Sequence, residues 1–170
     1  MSSRYTKVSP VESGENILGG SLEAVGIRLG IVVSRFNSHI TDKLLEGARK
    51  ALKNYNIAET DTVTVWVPGA FELPIVAKKI ASSGKYSAIV CLGAVIKGDT
   101  SHFDFVCTAA MEGILQVGLD SGIPVIFGVL TCDSDEQAED RCKNDESNKG
   151  FEAVETAIWT ANVLLSIDSH

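Results

Sequence analysis

Short apolar runs and helical stripes alternate along most of the chain. Residues 25–33, VGIRLGIVV, are branched and apolar, and the segment SHITDKLLEGARKALKNYNI that follows sets Ile40, Leu44, Leu45, Ala48, Ala51, Leu52 and Tyr55 at helical spacing. A strand and then a helix are predicted. DTVTVWV (61–67) predicts a second strand stopped by Pro68-Gly69, and the helical period resumes from Ala70 to Ser83, ahead of Gly84. Pro74 falls in the first turn of that helix, where a missing N–H costs little. The third cycle is SAIVCLGAV (87–95), a polar loop, and a helix from about Ser101 to Ser121, with Gly122 as its stop and Pro124 beyond. The fourth is PVIFGVL (124–130), with helices near 134–142 and 150–166.

Strands that read as continuous apolar runs, each followed by a helix, imply a parallel sheet covered on both faces and joined by right-handed crossovers. The expected class is α/β, a three-layer sandwich around a four-stranded parallel sheet. Residues 1–20 read as a polar N-terminal arm and 21–170 as a single domain, without linker, repeat or low-complexity tract.

Charge and cysteine usage narrow the partners. Fifteen basic against 22 acidic side chains give a net charge of −7, which argues against nucleic acid, because phosphate neutralisation needs clustered Lys and Arg. Cys91, Cys107, Cys132 and Cys142 form no C-x-x-C pair, so reduced thiols are expected rather than a disulfide frame or a structural zinc site. No run reaches membrane-spanning length and the opening has no sustained apolar region. A cytoplasmic protein is expected, or one of the plastid stroma if a transit peptide has been removed.

In an open parallel sheet, ligands collect outside the carboxyl ends of the strands. The first strand exits into Ser34-Arg35-Phe36-Asn37. Phe36 and Asn37 suit stacking on a planar heterocycle and hydrogen bonding its edge, although a Phe there also serves as a core plug. The second strand exits into Pro68-Gly69-Ala70-Phe71-Glu72. The Glu72 carboxylate can cap free N–H groups at the helix start, or accept from ligand hydroxyls while Phe71 packs on the ligand.

The third exit, GAVIKGDTSH (93–102), holds one of only three histidines. Gly98 permits close backbone approach, Thr100 or Ser101 can cap the long helix, and the free N–H groups there form an anion site. His102 in that first turn is the candidate proton carrier, imidazole being the side chain that titrates nearest neutrality; the alternative is a histidine that merely caps the terminus or bonds within the core. The glycine spacing is not that of a Walker loop. His39 lies near a helix start without matching polar partners, and His170 is terminal; neither is assigned a role. No H-x-x-H or H-E-x-x-H spacing occurs, and no metal is expected. Arg141 and Lys149 follow the fourth strand; an arginine can grip phosphate as a fork, whereas DEQAEDRCKNDE otherwise reads as a solvated face.

GIVVSRFN, VPGAFELP, CLGAVIKGDTSHFD, PVIFGVLT and NKG together resemble the 6,7-dimethyl-8-ribityllumazine synthase family, over residues 24–166. The resemblance implies a flavodoxin-like subunit, assembled into pentamers or pentamer-based icosahedral shells, with active sites between subunits and without a cofactor. It implies two small-molecule substrates, 5-amino-6-(D-ribitylamino)uracil and 3,4-dihydroxy-2-butanone 4-phosphate, and extends to riboflavin synthase as a candidate partner. Position by position, it implies that Phe36 stacks on the pyrimidine with Asn37 beside it. Ala70, Phe71 and Glu72 line the ribityl side, and Ala94, Val95 and Ile96 meet the ring edge through the backbone. Gly98, Asp99 and Thr100 hold the phosphate, His102 is the acid–base residue, Arg141 binds phosphate with Lys149 nearby, and Phe127 is donated by a neighbour.

The chain departs from the family in Arg141-Cys142-Lys143, where Arg-Ala-Gly is common, and in the acidic NDES before Asn148. Two other readings use the same residues: a flavin-binding module without turnover, and a shell-forming structural protein.

Overall fold

A computed structural model describes residues 17–170. Most of the expected arm, residues 1–16, lies outside the described residues. Gly20 runs against Trp159, and Asn162 holds the next stretch by donating to the Ser21 and Glu23 carbonyls at 2.9 and 2.8 Å.

Four strands, β1 (Leu29–Ser34), β2 (Thr62–Val67), β3 (Ala88–Ile96) and β4 (Val125–Cys132), form one parallel sheet in the order β2-β1-β3-β4. The helices are α1 (Ser38–Asn54), α2 (Leu73–Ala81), α3 (His102–Ser121), α4 (Asp135–Asp140) and α5 (Lys149–Asp168). The result is the expected flavodoxin-like three-layer α/β/α sandwich. Every residue of β1 is buried, as a strand covered on both faces requires. Alternate residues serve opposite layers. Leu29, Ile31 and Val33, with Val90 and Leu92, pack beneath α1 and α5, whereas Val32, Ile89 and Cys91 pack beneath Leu73 and Ala77 of α2 and Ala110 and Ile114 of α3.

Several boundaries differ from the hydropathy reading. The first strand starts at Leu29 rather than 25, because Gly26 adopts φ 76° and Ile27 N–H turns back to the Ala24 carbonyl, leaving Val25 in solvent. The helix expected from Ala70 to Ser83 begins as a 3-10 turn, Ala70–Glu72, and becomes α-helical only at Leu73. A short 3-10 turn at Glu59–Asp61 carries no periodic signal. Gly122 ends α3 in the left-handed conformation, φ 69°.

The last helix, α5, lies close against α1. A Cβ on Gly150 would lie 1.9 Å from the Leu44 carbonyl oxygen, so only glycine fits there. Tyr55, just past α1, donates to the buried Glu155 carboxylate of α5, and burial together with that carboxylate pushes its phenol pKa upward. On the opposite side α3 carries an exposed apolar row, Phe105, Met111, Leu115 and Leu119. Among the described residues, no helix is long and apolar enough to cross a membrane.

Candidate active site

Strand order reverses between β1 and β3, and crevices form at such a switch point. The chain leaving β1 remains bonded to the segment leaving β2, with Arg35 N–H donating to Val67 O at 2.8 Å and Phe36 N–H to Pro68 O at 3.0 Å. That pairing sets Phe36 beside Pro68-Gly69, with its ring 69% exposed. It is a presented surface, not a core plug.

Asn37 then adopts φ 57°, ψ 47°, and its side-chain Nδ2 donates to the Ala94 carbonyl of β3 at 3.0 Å. The left-handed backbone that turns the chain into α1 thus also braces β1 against β3. Asn37 does not line the cleft; it fixes the wall that does.

Gly69 N–H donates to Glu72 Oε2 at 2.9 Å, closing the 3-10 turn that precedes α2. One carboxylate oxygen is therefore spent on the fold and the other remains an acceptor. Phe71, in the same turn, is 62% exposed. Beyond β3, Lys97 N–H continues the ladder to the Cys132 carbonyl at 2.9 Å, and the chain turns through Gly98–Ser101 into α3. Ser101 occupies the cap position without a side-chain cap bond; Thr100 Oγ1 instead accepts weakly from His102 N–H at 3.4 Å. The first turn of a 20-residue helix thus presents lightly engaged N–H groups at its positive end.

These segments enclose one cleft of about 710 Å³, a size suited to a small ligand. Ten of the expected residues line it: Phe36, Ala70, Phe71 and Glu72 from the first two exits, and Ala94, Val95, Ile96, Gly98, Thr100 and His102 from the third. Asp99 does not. Pro68, Gly69, Phe103 and Val106 complete the lining and were not singled out from sequence. Val106 stands four positions after His102 and three after Phe103, a helical spacing that could have found it.

Phe127, Arg141 and Lys149 are not brought into this cleft. They line a second cavity of about 390 Å³ against the outer strand β4 and the start of α5. Arg141 caps the end of α4, where its Nη1 donates to Gln137 O at 2.7 Å; Lys149 Nζ pairs with Glu152 Oε2 at 2.8 Å. His39, expected to lack a polar partner, has one: its Nε2 lies 2.8 Å from Asp135 Oδ1, 96 positions away. Among the described residues no group of three His, Cys, Asp or Glu could hold a metal.

A family model described as 6,7-dimethyl-8-ribityllumazine synthase matches residues 26–165. The chain belongs to this family. It is therefore an enzyme of a transferase family acting on small molecules in riboflavin biosynthesis. The matched span begins just ahead of β1, ends within α5, and contains every residue lining both cavities.

Proposed function

We propose that the enzyme condenses 5-amino-6-(D-ribitylamino)uracil with 3,4-dihydroxy-2-butanone 4-phosphate to give 6,7-dimethyl-8-ribityllumazine, phosphate and water. The observation that carries this reading is the composition of the cleft: exposed aromatic faces, a carboxylate acceptor, a helix terminus and a histidine within one concavity. Phe36 stacks on the pyrimidine, the free Glu72 oxygen accepts from ribityl hydroxyls, and the backbone of Ala94–Ile96 meets the ring edge. Gly98 to Thr100 and the first turn of α3 receive the phosphate.

The amine attacks the ketone and water leaves to form an imine; phosphate is then eliminated, and closure by the ribityl-bearing nitrogen with loss of a second water completes the ring. Holding both reactants in register supplies most of the acceleration, since effective molarities from good positioning reach about 10⁵ M or more. His102 moves protons between successive steps, for a factor of roughly 10² to 10⁴.

Phe127, Arg141 and Lys149 enter the same reading from a neighbouring copy in a homo-oligomer, a pentamer or a pentamer-based shell. Its support is their separation from the cleft within one chain and the exposed apolar row of α3, which needs a cover. Arg141 then neutralises the departing phosphate. Incubating both substrates with the purified protein and following lumazine fluorescence above the uncatalysed background tests the reaction; absence of product overturns it in favour of a flavin-binding or structural role. Mixing His102→Ala with Arg141→Ala subunits tests the shared site. Recovered turnover is expected, and none would be recovered if each chain held a complete site.

A further inference from the structure

Arg141 and Lys149 stand at the two ends of one loop, residues 142–148, and Lys149 N–H donates to the Arg141 carbonyl at 2.8 Å to close its base. Residues 143–147 are exposed, and a surface ion pair such as Lys143–Asp140 holds a loop weakly. Cys142, at its start, is buried in the core shared with α1 and α5, and its N–H and thiol meet the Glu139 carbonyl at 3.1 and 3.5 Å, which ties down the Arg141 end of the loop.

Asn148 is different. It is 1% exposed, and its side chain reaches three elements. Nδ2 donates to Lys43 O of α1 at 3.1 Å and to Lys143 O inside the loop at 3.0 Å, while Oδ1 accepts from Gly150 N–H of α5 at 2.8 Å. Both amide donors and the carbonyl are engaged, so the ring of contacts admits one orientation of the side chain. Gly47 of α1 makes room for it: a Cβ there would sit 2.1 Å from Asn148 Oδ1.

We propose that Asn148 is a positioning residue for the phosphate half of the active site. By anchoring the Lys149 end of the loop to α1 across the exposed residues 143–147, it fixes the spacing of Arg141 and Lys149 and hence their grip on a phosphate monoester. The inference rests on the reading of Arg141 as a phosphate ligand. It accounts for how the atypical sequence between Arg141 and Asn148 keeps its base in register: the anchor contacts main-chain carbonyls, which loop substitutions leave in place.

The test uses the full-length assembled protein, with inorganic phosphate as inhibitor. Asn148→Asp keeps the side chain's size but sets an oxygen against two carbonyls. The Ki for phosphate and the KM for the phosphorylated ketone are expected to rise about tenfold or more, as small misplacements of binding groups do. Affinity for the ribitylaminopyrimidine stays unchanged, a selectivity that general destabilisation would not produce. Gly47→Ala, which displaces the amide sterically, is expected to give the same selective loss and decides the matter if Asn148→Asp does not fold. Folded variants with wild-type phosphate Ki, or with equal losses for both substrates, overturn the proposal. Arg141→Ala separates the two levels: no change in phosphate Ki there removes the phosphate reading and the inference with it, whereas a change there and none in Asn148→Asp or Gly47→Ala removes the positioning role alone.

Discussion

Gly150→Ala is the most stringent test of the packing that carries the second cavity. The new methyl would lie 1.9 Å from the Leu44 carbonyl oxygen and 2.7 Å from its carbon, both main-chain atoms inside α1. Ordinary C···O contacts begin near 3.3 Å, so the start of α5 must retreat by ~1.4 Å or the two helices must separate. Overpacking of this kind costs about 3 kcal/mol, and the strained Gly150 N–H bond to Asn148 costs about 1 kcal/mol more. Better helix propensity returns about 1 kcal/mol, leaving a net destabilisation of about 3 kcal/mol. For a chain of this size that corresponds to a fall of roughly 6–12 °C in Tm. Differential scanning calorimetry at fixed protein concentration measures it. Gly118→Ala on α3, whose methyl would meet nothing nearer than 3.6 Å, is the control and is expected to hold or slightly raise Tm. If Gly150→Ala melts with the wild type while the control behaves, close approach of α1 and α5 is not why glycine stands there.

Phe36→Ala is expected to weaken equilibrium binding of the ribitylaminopyrimidine roughly 10- to 100-fold, the worth of one aromatic stacking platform, with unchanged thermal stability because the ring is exposed. His102→Ala should lower kcat by about 10² or more at nearly constant KM in steady-state assays; unchanged turnover would take His102 out of the proton path. Alkaline stability follows from the thiols. Burial pushes Cys91 up to about 12 and moves Cys132 and Cys142 in the same direction. The folded state therefore keeps a proton that the unfolded chain loses above about pH 9, and stability falls as pH rises from there towards 12. Urea titrations of Cys91→Ala across that window should show the slope reduced by about 1.4 kcal/mol per pH unit.

The layers were legible because parallel strands buried on both faces have nowhere to put polar residues, so Ile31–Val33 and Ile89–Leu92 announce themselves as apolar runs. The cleft was legible because strand ends are its only possible rim in such a sheet, which drew attention to Phe36, Glu72 and His102. What escaped depends on partners distant in sequence. The His39 contact with Asp135 spans 96 positions, and no local pattern marks it. Asn37 read as a ligand group, but its amide meets Ala94, a pairing known only once β1 and β3 are adjacent. The split of the segment 70–83 turns on one carboxylate bending back to Gly69, a choice that helical periodicity in the apolar positions cannot register. NKG read as one lysine with neighbours, whereas Asn148 and Gly150 are the residues the interior depends on.

The row of Phe105, Met111, Leu115 and Leu119 along α3 bears on the birth of the molecule as well as its architecture. A subunit newly released from the ribosome would display that strip to every other unfinished chain around it. In the homo-oligomer proposed above, its safety during those moments would depend on how quickly sister copies arrive, so yield in cells should respond to synthesis rate and holdase chaperones before any change in the folded enzyme is felt.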